Sequence, residues 1–181
     1  MLQLLADWEI IDAIADGNIS IEPFNLTNLN PHSYDITLGN SFFETTSTLI
    51  DPRSKQPYGN EFISDLYYLQ PLNSILGTSV ETIKLANGFV AQVHGKSSIA
   101  RFNIEVHHAG LVDSGFEGEI TFEVFNANNE AEYLMRYGDL FGQVTFHKVE
   151  KSKIPYNKKV TSKYMNEKGA TPSLYWKNYE G

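Results

Sequence analysis

The sequence predicts a mainly β protein, a distorted antiparallel barrel or sandwich with one or two short helices. Three observations predict it. Short runs rich in β-branched and aromatic residues recur along the 181 residues, each bounded by turn clusters. Only one stretch carries a helical period. Aromatic residues make up 13% of the chain, with ten Tyr and eleven Phe spread along it, the payload of a packed β core.

Taken in order, ADWEIIDAIADGNI places Trp8, Ile10, Ile11, Ile14 and Ala15 at roughly helical spacing, with Asp7 as N-cap and Gly17 as stop. Seven strands follow: SYDITLG, NSFFETTSTLI, ILGTSVETIKL, NGFVAQVHG, FNIEVHH, GEITFEVFN and FGQVTFHKV. The intervening DPRSKQPYGNEFISD, rich in turn formers, reads as a loop inserted between strands. No repeat or linker divides the chain, so residues 1–181 are expected to form a single domain. Residues 152–181 are polar, lysine-rich and without alternation, and read as a C-terminal arm that becomes ordered on a ligand or a neighbouring subunit.

Composition excludes several chemistries. There is no cysteine, which removes disulfides, thiolate nucleophiles and cysteine-ligated zinc or iron–sulfur sites, and fits a reducing compartment. The N-terminus has no basic leader and no run reaches the roughly 18 apolar residues of a membrane span, so the expectation is a soluble, cytoplasmic protein with no membrane partner. A net charge of −8 argues against a nucleic-acid partner. Local cations remain: Lys96 with Arg101, and Lys158, Lys159, Lys163 and Lys168 near the C-terminus. Converging, the two clusters could hold a polyphosphate.

Residues 95–126 crowd the chemically capable side chains together. GKSSIAR offers two hydroxyls, Ser97 and Ser98, between Lys96 and Arg101, groups suited to phosphate oxygens but also common in solvated turns. Strand alternation in EGEITFEVFN sets Ile120, Phe122 and Val124 on one face and Thr121, Glu123 and Phe125 on the other. Glu123 therefore lies either on a solvated face or, if enclosed, where it could shuttle protons. Asp113, before Ser114 and Gly115, has the position of a turn residue. His107 and His108 are adjacent on a strand and point to opposite faces, so they do not chelate a metal together. His32, His94 and His147 are isolated in sequence, and the Gly-rich phosphate motifs and the GxSxG elbow are absent.

GKSSIAR, AGLVDSGFEGEI and TFEVFN, in that order and spacing, resemble the core motifs of the dCTP deaminase and dUTPase superfamily, trimeric enzymes of pyrimidine deoxynucleotide metabolism. NPHSYDITLGNSF, FGQVTF, PYN and SKYMNEKGATPSL extend the likeness over nearly the whole chain. The serine pair, Glu123, and Tyr156 with Lys163 and Tyr164 favour the deaminase branch, and AGLVDSGF resembles the pattern of deaminases that form dUMP.

The resemblance implies a dUTPase-like fold and a zinc-independent deamination of dCTP, coupled to triphosphate hydrolysis to give dUMP, diphosphate and ammonia. In it Glu123 takes a proton from a water held near Ser97, Arg101 and the backbone of Ala109. Lys96, Ser98, Tyr156 and Lys163 grip the triphosphate with its Mg²⁺, Asp113 binds the deoxyribose 3′-hydroxyl, and Thr121, Phe122 and Glu167 are the remaining nucleotide-binding positions. The sites lie between subunits of a homotrimer. The alternatives are a dUTP diphosphatase on the same fold, with Asp113 orienting the attacking water, and a non-catalytic nucleotide-binding relative. Departures from the pattern are a spacing from Arg101 to Ala109 one residue shorter than in the deaminases, His108 for a threonine, Lys96 for an arginine and Glu167 for a glutamine.

Overall fold

A computed structural model describes residues 3–56, 58–106 and 110–179. The chain opens with strand β1 (Gln3–Leu4) and helix α1 (Asp7–Ala15). The N-cap is Ala6, not Asp7: the Glu9 carboxylate accepts the Ala6 N–H at 2.9 Å, which moves the helix start so that Asp7 is its first residue. Gly17, at φ +71°, ends the helix as expected, its N–H and that of Asn18 donating to the carbonyls of Ile14 and Ala13. The buried face is Ile10 and Ala13, whereas Trp8 is 62% exposed and turns outward.

There follow β2 (Ile19–Glu22), β3 (Leu29–Asn30), β4 (Ser33–Thr45), β5 (Gly59–Ile63), β6 (Leu66–Leu69), β7 (Ser74–Leu85) and β8 (Phe89–Gly95). After a single helical turn, α2 (Ser97–Ala100), come β9 (Ile104–Val106), β10 (Leu111–Val112), β11 (Glu117–Asn126), β12 (Tyr133–Arg136) and β13 (Leu140–Lys148). The expected strands over SYDITLG and NSFFETTSTLI are one long strand, β4, that stops at Thr45. The segment expected as a loop carries β5, paired to β4 with Phe62 opposite Phe42. Its Phe62 ring stacks 5.7 Å from Phe42, apolar contact enough to recruit a strand among turn formers.

All pairings among the described residues are antiparallel: a curled sheet runs β10-β8-β13-β4-β7-β11-β9, with β1, β2, β3 and β5 paired at its sides, and β12 and β6 form a separate two-stranded sheet. β4 turns the curl. Tyr34 to Thr37 pair with β13, and from Leu38 onward the strand pairs with β7 and β5, with a register shift between Leu38 and Phe42. Tyr34, Ile36, Leu38, Phe42, Phe122, Phe141 and Phe146 fill the inside, none more than 1% exposed. Phe122 of β11 meets Phe141 of β13 edge-on at 5.4 Å, joining the two sides of the curl. Gly142 permits this approach, since a Cβ there would stand 2.8 Å from the Phe122 ring. The fold class read from the alternation is the one observed.

After β13 the chain forms no further strand or α-helix among the described residues, only two 3-10 turns at Tyr156–Lys158 and Tyr175–Tyr179. It nonetheless packs on the sheet, and Ala170 is 1% exposed. Among the described residues no helix is long and apolar enough to cross a membrane.

Candidate active site

The cleft that matters lies where β11, the turn after β10 and the C-terminal arm meet, with a volume of about 460 Å³. β11 builds its wall by alternation. Phe122 and Val124 are buried, Thr121 is half-buried and Glu123 is exposed, so the carboxylate faces the cleft because its neighbours face the core. Phe122 borders the cleft from the core side, its ring committed to Phe141.

Asp113 stands at the end of β10 in a tight turn, its carbonyl accepting the Phe116 N–H at 3.1 Å. Gly115 has φ +86°, a conformation that favours glycine, so the turn reading of this aspartate is correct and the side chain also lines the cleft. Ser114 fixes the turn from both sides. Its hydroxyl donates to the Phe89 carbonyl at 2.7 Å, and its own carbonyl accepts the Tyr156 N–H at 2.7 Å. The arm therefore starts from the turn that presents Asp113.

Tyr156 bends the arm beyond it. Its hydroxyl oxygen accepts the N–H groups of Lys163 at 3.2 Å and Tyr164 at 3.1 Å, curling the segment so that Tyr164 and Glu167 line the cleft. Glu167 is braced by the Thr171 hydroxyl, which donates to its carboxylate at 2.7 Å.

Asp113, Thr121, Phe122, Glu123, Tyr156 and Glu167 are thus brought together, and Ser97, Ser98, Arg101, Lys96 and Lys163 are not. Ser97 and Ser98 lie on α2, an α-helical turn where a loop was expected, closed by the Lys96 carbonyl accepting from Ile99 and Ala100 and anchored by buried Ile99. Both serines and Arg101 are exposed, and none of them lines the cleft. Lys96 lines a separate cavity of about 600 Å³ beside α2 and is held by Asp35, Nζ to Oδ2 at 2.5 Å. Lys163 is half-buried and does not line the cleft. Ala109, with His107 and His108, lies outside the described residues.

The cleft has a one-sided charge. Asp113, Glu119, Glu123 and Glu167 line it, and among the described residues no lysine or arginine does. Glu119, Tyr58 and Asp35 are the residues that sequence reasoning passed over. Glu119 shares the face of Thr121 and Glu123, a signal the alternation already carried. Tyr58 lies in the segment read as a loop, and Asp35 is 61 residues from its lysine. His94 and His147, isolated in sequence, both hydrogen-bond the Thr145 hydroxyl, at 3.2 and 3.1 Å, and burial holds the His147 imidazole below its ordinary value. Among the described residues no three His, Cys, Asp or Glu side chains are grouped to hold a metal ion.

Residues 4–149 match the family described as dCTP deaminase-like. The chain is 39% identical, over 97% of each chain, to the protein named dCTP deaminase, dUMP-forming, of Methanospirillum hungatei. It is 37% identical to the protein of that name from Dictyoglomus thermophilum, over 94% of this chain and 93% of the other. Among solved structures it is similar in fold to the 2′-deoxycytidine 5′-triphosphate deaminase of Agrobacterium tumefaciens, with a TM-score of 0.65 and 18% identity. That match covers 81% of this chain and 48% of the other.

Proposed function

This chain belongs to the dCTP deaminase-like family, and from that membership we propose that it deaminates dCTP without zinc and hydrolyses the triphosphate, releasing dUMP, diphosphate and ammonia. The observation that carries the proposal is the near-full-length similarity to dUMP-forming deaminases, joined to a cleft in which Glu123 and Asp113 stand on adjoining walls.

The chemistry rests on an exposed carboxylate beside the site of attack. Glu123 takes a proton from water, the hydroxide oxygen bonds to C4 of cytosine, and the C4–N bond breaks as the glutamate returns protons to the departing ammonia. Asp113 holds the deoxyribose 3′-hydroxyl. The oxygen of a second water bonds to the α-phosphorus, the bond from that phosphorus to the oxygen bridging to the β-phosphate breaks, the water's proton passes to solvent, and diphosphate leaves with the Mg²⁺ that arrived on the substrate.

The charge of the cleft supports a site shared between subunits. Four carboxylates line the cleft and, among the described residues, no lysine or arginine does, a lining that repels a triphosphate, so the phosphate end needs positive charge from elsewhere. Arg101, exposed at the end of α2 and outside its own cleft, is suited to supply that charge to a neighbouring copy, with the exposed Ser97 and Ser98 hydroxyls adding neutral hydrogen bonds. In the homotrimer proposed here each cleft is completed by the α2 turn of the next subunit, in the cytoplasmic nucleotide pool.

The test is product analysis. Incubation of dCTP and Mg²⁺ with the protein should yield ammonia and dUMP in equal amounts, and Glu123→Gln should stop ammonia release while nucleotide binding persists. Cleavage of dUTP with no ammonia from dCTP would overturn the assignment.

A further inference from the structure

We infer that Glu119 is a positioning residue for this reaction: its carboxylate clasps the arm at Gly169 and thereby holds Glu167 and Tyr164 against the cleft. The inference rests on the function proposed above. One Glu119 oxygen, Oε2, accepts the Gly169 N–H at 2.7 Å and the Thr78 hydroxyl at 3.1 Å. The next amide is also caught. Ala170 donates to the Ser41 hydroxyl at 2.9 Å, and that hydroxyl donates in turn to Glu61 at 3.1 Å. Two consecutive arm amides are therefore received by side chains of β11 and β4.

The arm is cut to fit this clasp. Gly169 has φ +78°, and a Cβ there would stand 2.7 Å from the Glu61 carboxylate and 2.8 Å from the Ser41 hydroxyl. No other residue type fits without displacing one of them. Just before the clasp the arm runs as a short extra rung on β11, with Asn166 N–H donating to the Glu117 carbonyl at 2.7 Å and Glu119 N–H to the Glu167 carbonyl at 3.1 Å. Glu119 thus engages the arm twice, by its backbone at Glu167 and by its side chain at Gly169. Its carboxylate is half-buried at the cleft wall and outside the apolar core, so its removal opens no core cavity.

A charged acceptor on an amide is roughly twice as strong as a neutral one, which makes Glu119 the stronger half of the clasp. Losing it frees the arm end that carries Tyr164 and walls the cleft, so substrate binding suffers and the chemical step on bound substrate does not.

Three variants and two readouts test this. Lys168 is exposed and its scissile bond ends in the clasped Gly169 amide, so trypsin reports the clasp directly in nucleotide-free protein. Glu119→Ala and Gly169→Ala should each be cut there about tenfold faster than the parent, the size of one lost charge-assisted hydrogen bond, with urea midpoints unchanged. Glu119→Gln keeps one acceptor oxygen and should restore most of the protection. In ammonia-release assays with dCTP, Glu119→Ala should raise KM by about tenfold and leave kcat within about twofold. Parental cleavage rate and parental KM in both alanine variants would overturn the inference, as would a fall in kcat at unchanged KM. If the parent releases no ammonia, the proposed function fails, and the trypsin result still decides the clasp. If Glu119→Ala does not fold, Gly169→Ala, which replaces no residue of the sheet, decides it.

Discussion

The Glu81 carboxylate takes both hydrogen bonds that Thr37 offers, the backbone N–H at 2.9 Å and the hydroxyl at 2.9 Å. It stands in for a strand carbonyl. Between the pairs Thr121–Thr78 and Glu119–Thr82, β7 has three residues where β11 has one, and this bulge sends the Glu81 side chain toward β4. Ser79 stitches the bulge, accepting the Ile120 N–H at 2.8 Å and donating to the Glu81 carbonyl at 2.7 Å.

This burial makes stability depend on pH. It pushes Glu81 above its ordinary value of 4.5, against the opposing pull of the Thr37 hydrogen bonds. The folded state therefore holds the proton more tightly than the unfolded one, and this contribution to stability is lost as pH rises from 4.5 through the raised value. Glu81→Gln keeps an acceptor for Thr37 without the charge. Its urea midpoint, measured against the parent from pH 4 to pH 8 in matched buffers, should gain on the parent as pH rises and level off at the top.

Phe122 and Gly142 form one packing unit across the curl. Phe122→Ala removes a ring that is 1% exposed and should cost about 3–5 kcal/mol, while Gly142→Ala should cost about 1–3 kcal/mol by forcing that ring aside. Urea unfolding of the two single variants and the double variant measures both terms. The double variant should be less destabilised than the sum, because the smaller side chain at 122 leaves room for the new methyl.

Lys96 and Asp35 should behave as a coupled pair. Their side chains are only 16% and 9% exposed, and among the described residues Asp35 Oδ1 has no hydrogen-bond partner. Asp35→Asn leaves a largely buried ammonium without its counter-charge and should cost about 3–5 kcal/mol, whereas Asp35→Asn with Lys96→Met should recover most of it. A double-mutant cycle by denaturant unfolding gives the coupling. If the two losses simply add, the pair holds nothing.

Subunit mixing tests the shared site. Glu123→Gln and Arg101→Ala proteins should each be inactive alone, and trimers reassembled from an equal mixture should regain about one quarter of parental ammonia release, the chance that an intact glutamate meets an intact arginine across an interface. No recovery would place both residues in one subunit's site.

Much of the site was legible because strand alternation is local. Thr121, Phe122 and Glu123 took their faces from the period of the strand alone, and the turn at Asp113 from the Ser114–Gly115 pair. What escaped is non-local. Glu119 reads as one more carboxylate until Gly169, 50 residues on, arrives at its oxygen. Asp35 is one polar residue in a strand until Lys96 reaches it, and β5 depends on Phe62 finding Phe42. The helical turn at Ser97 escaped for the opposite reason: four residues are too few to show a period.

Five of the arm's attachments are made through its amides. Tyr156, Asn166, Gly169, Ala170 and Ser173 each give a backbone N–H, to the Ser114 carbonyl, the Glu117 carbonyl, Glu119, Ser41 and the Tyr58 hydroxyl. Every residue except proline carries that donor, and at Gly169 the seat dictates the residue as well. Attachment and recognition are therefore written in separate alphabets. The side chains of Tyr164 and Glu167, which line the cleft, are open to exchange without detaching the segment, which makes this stretch the natural place to reshape the cleft while the barrel beneath it stays the same.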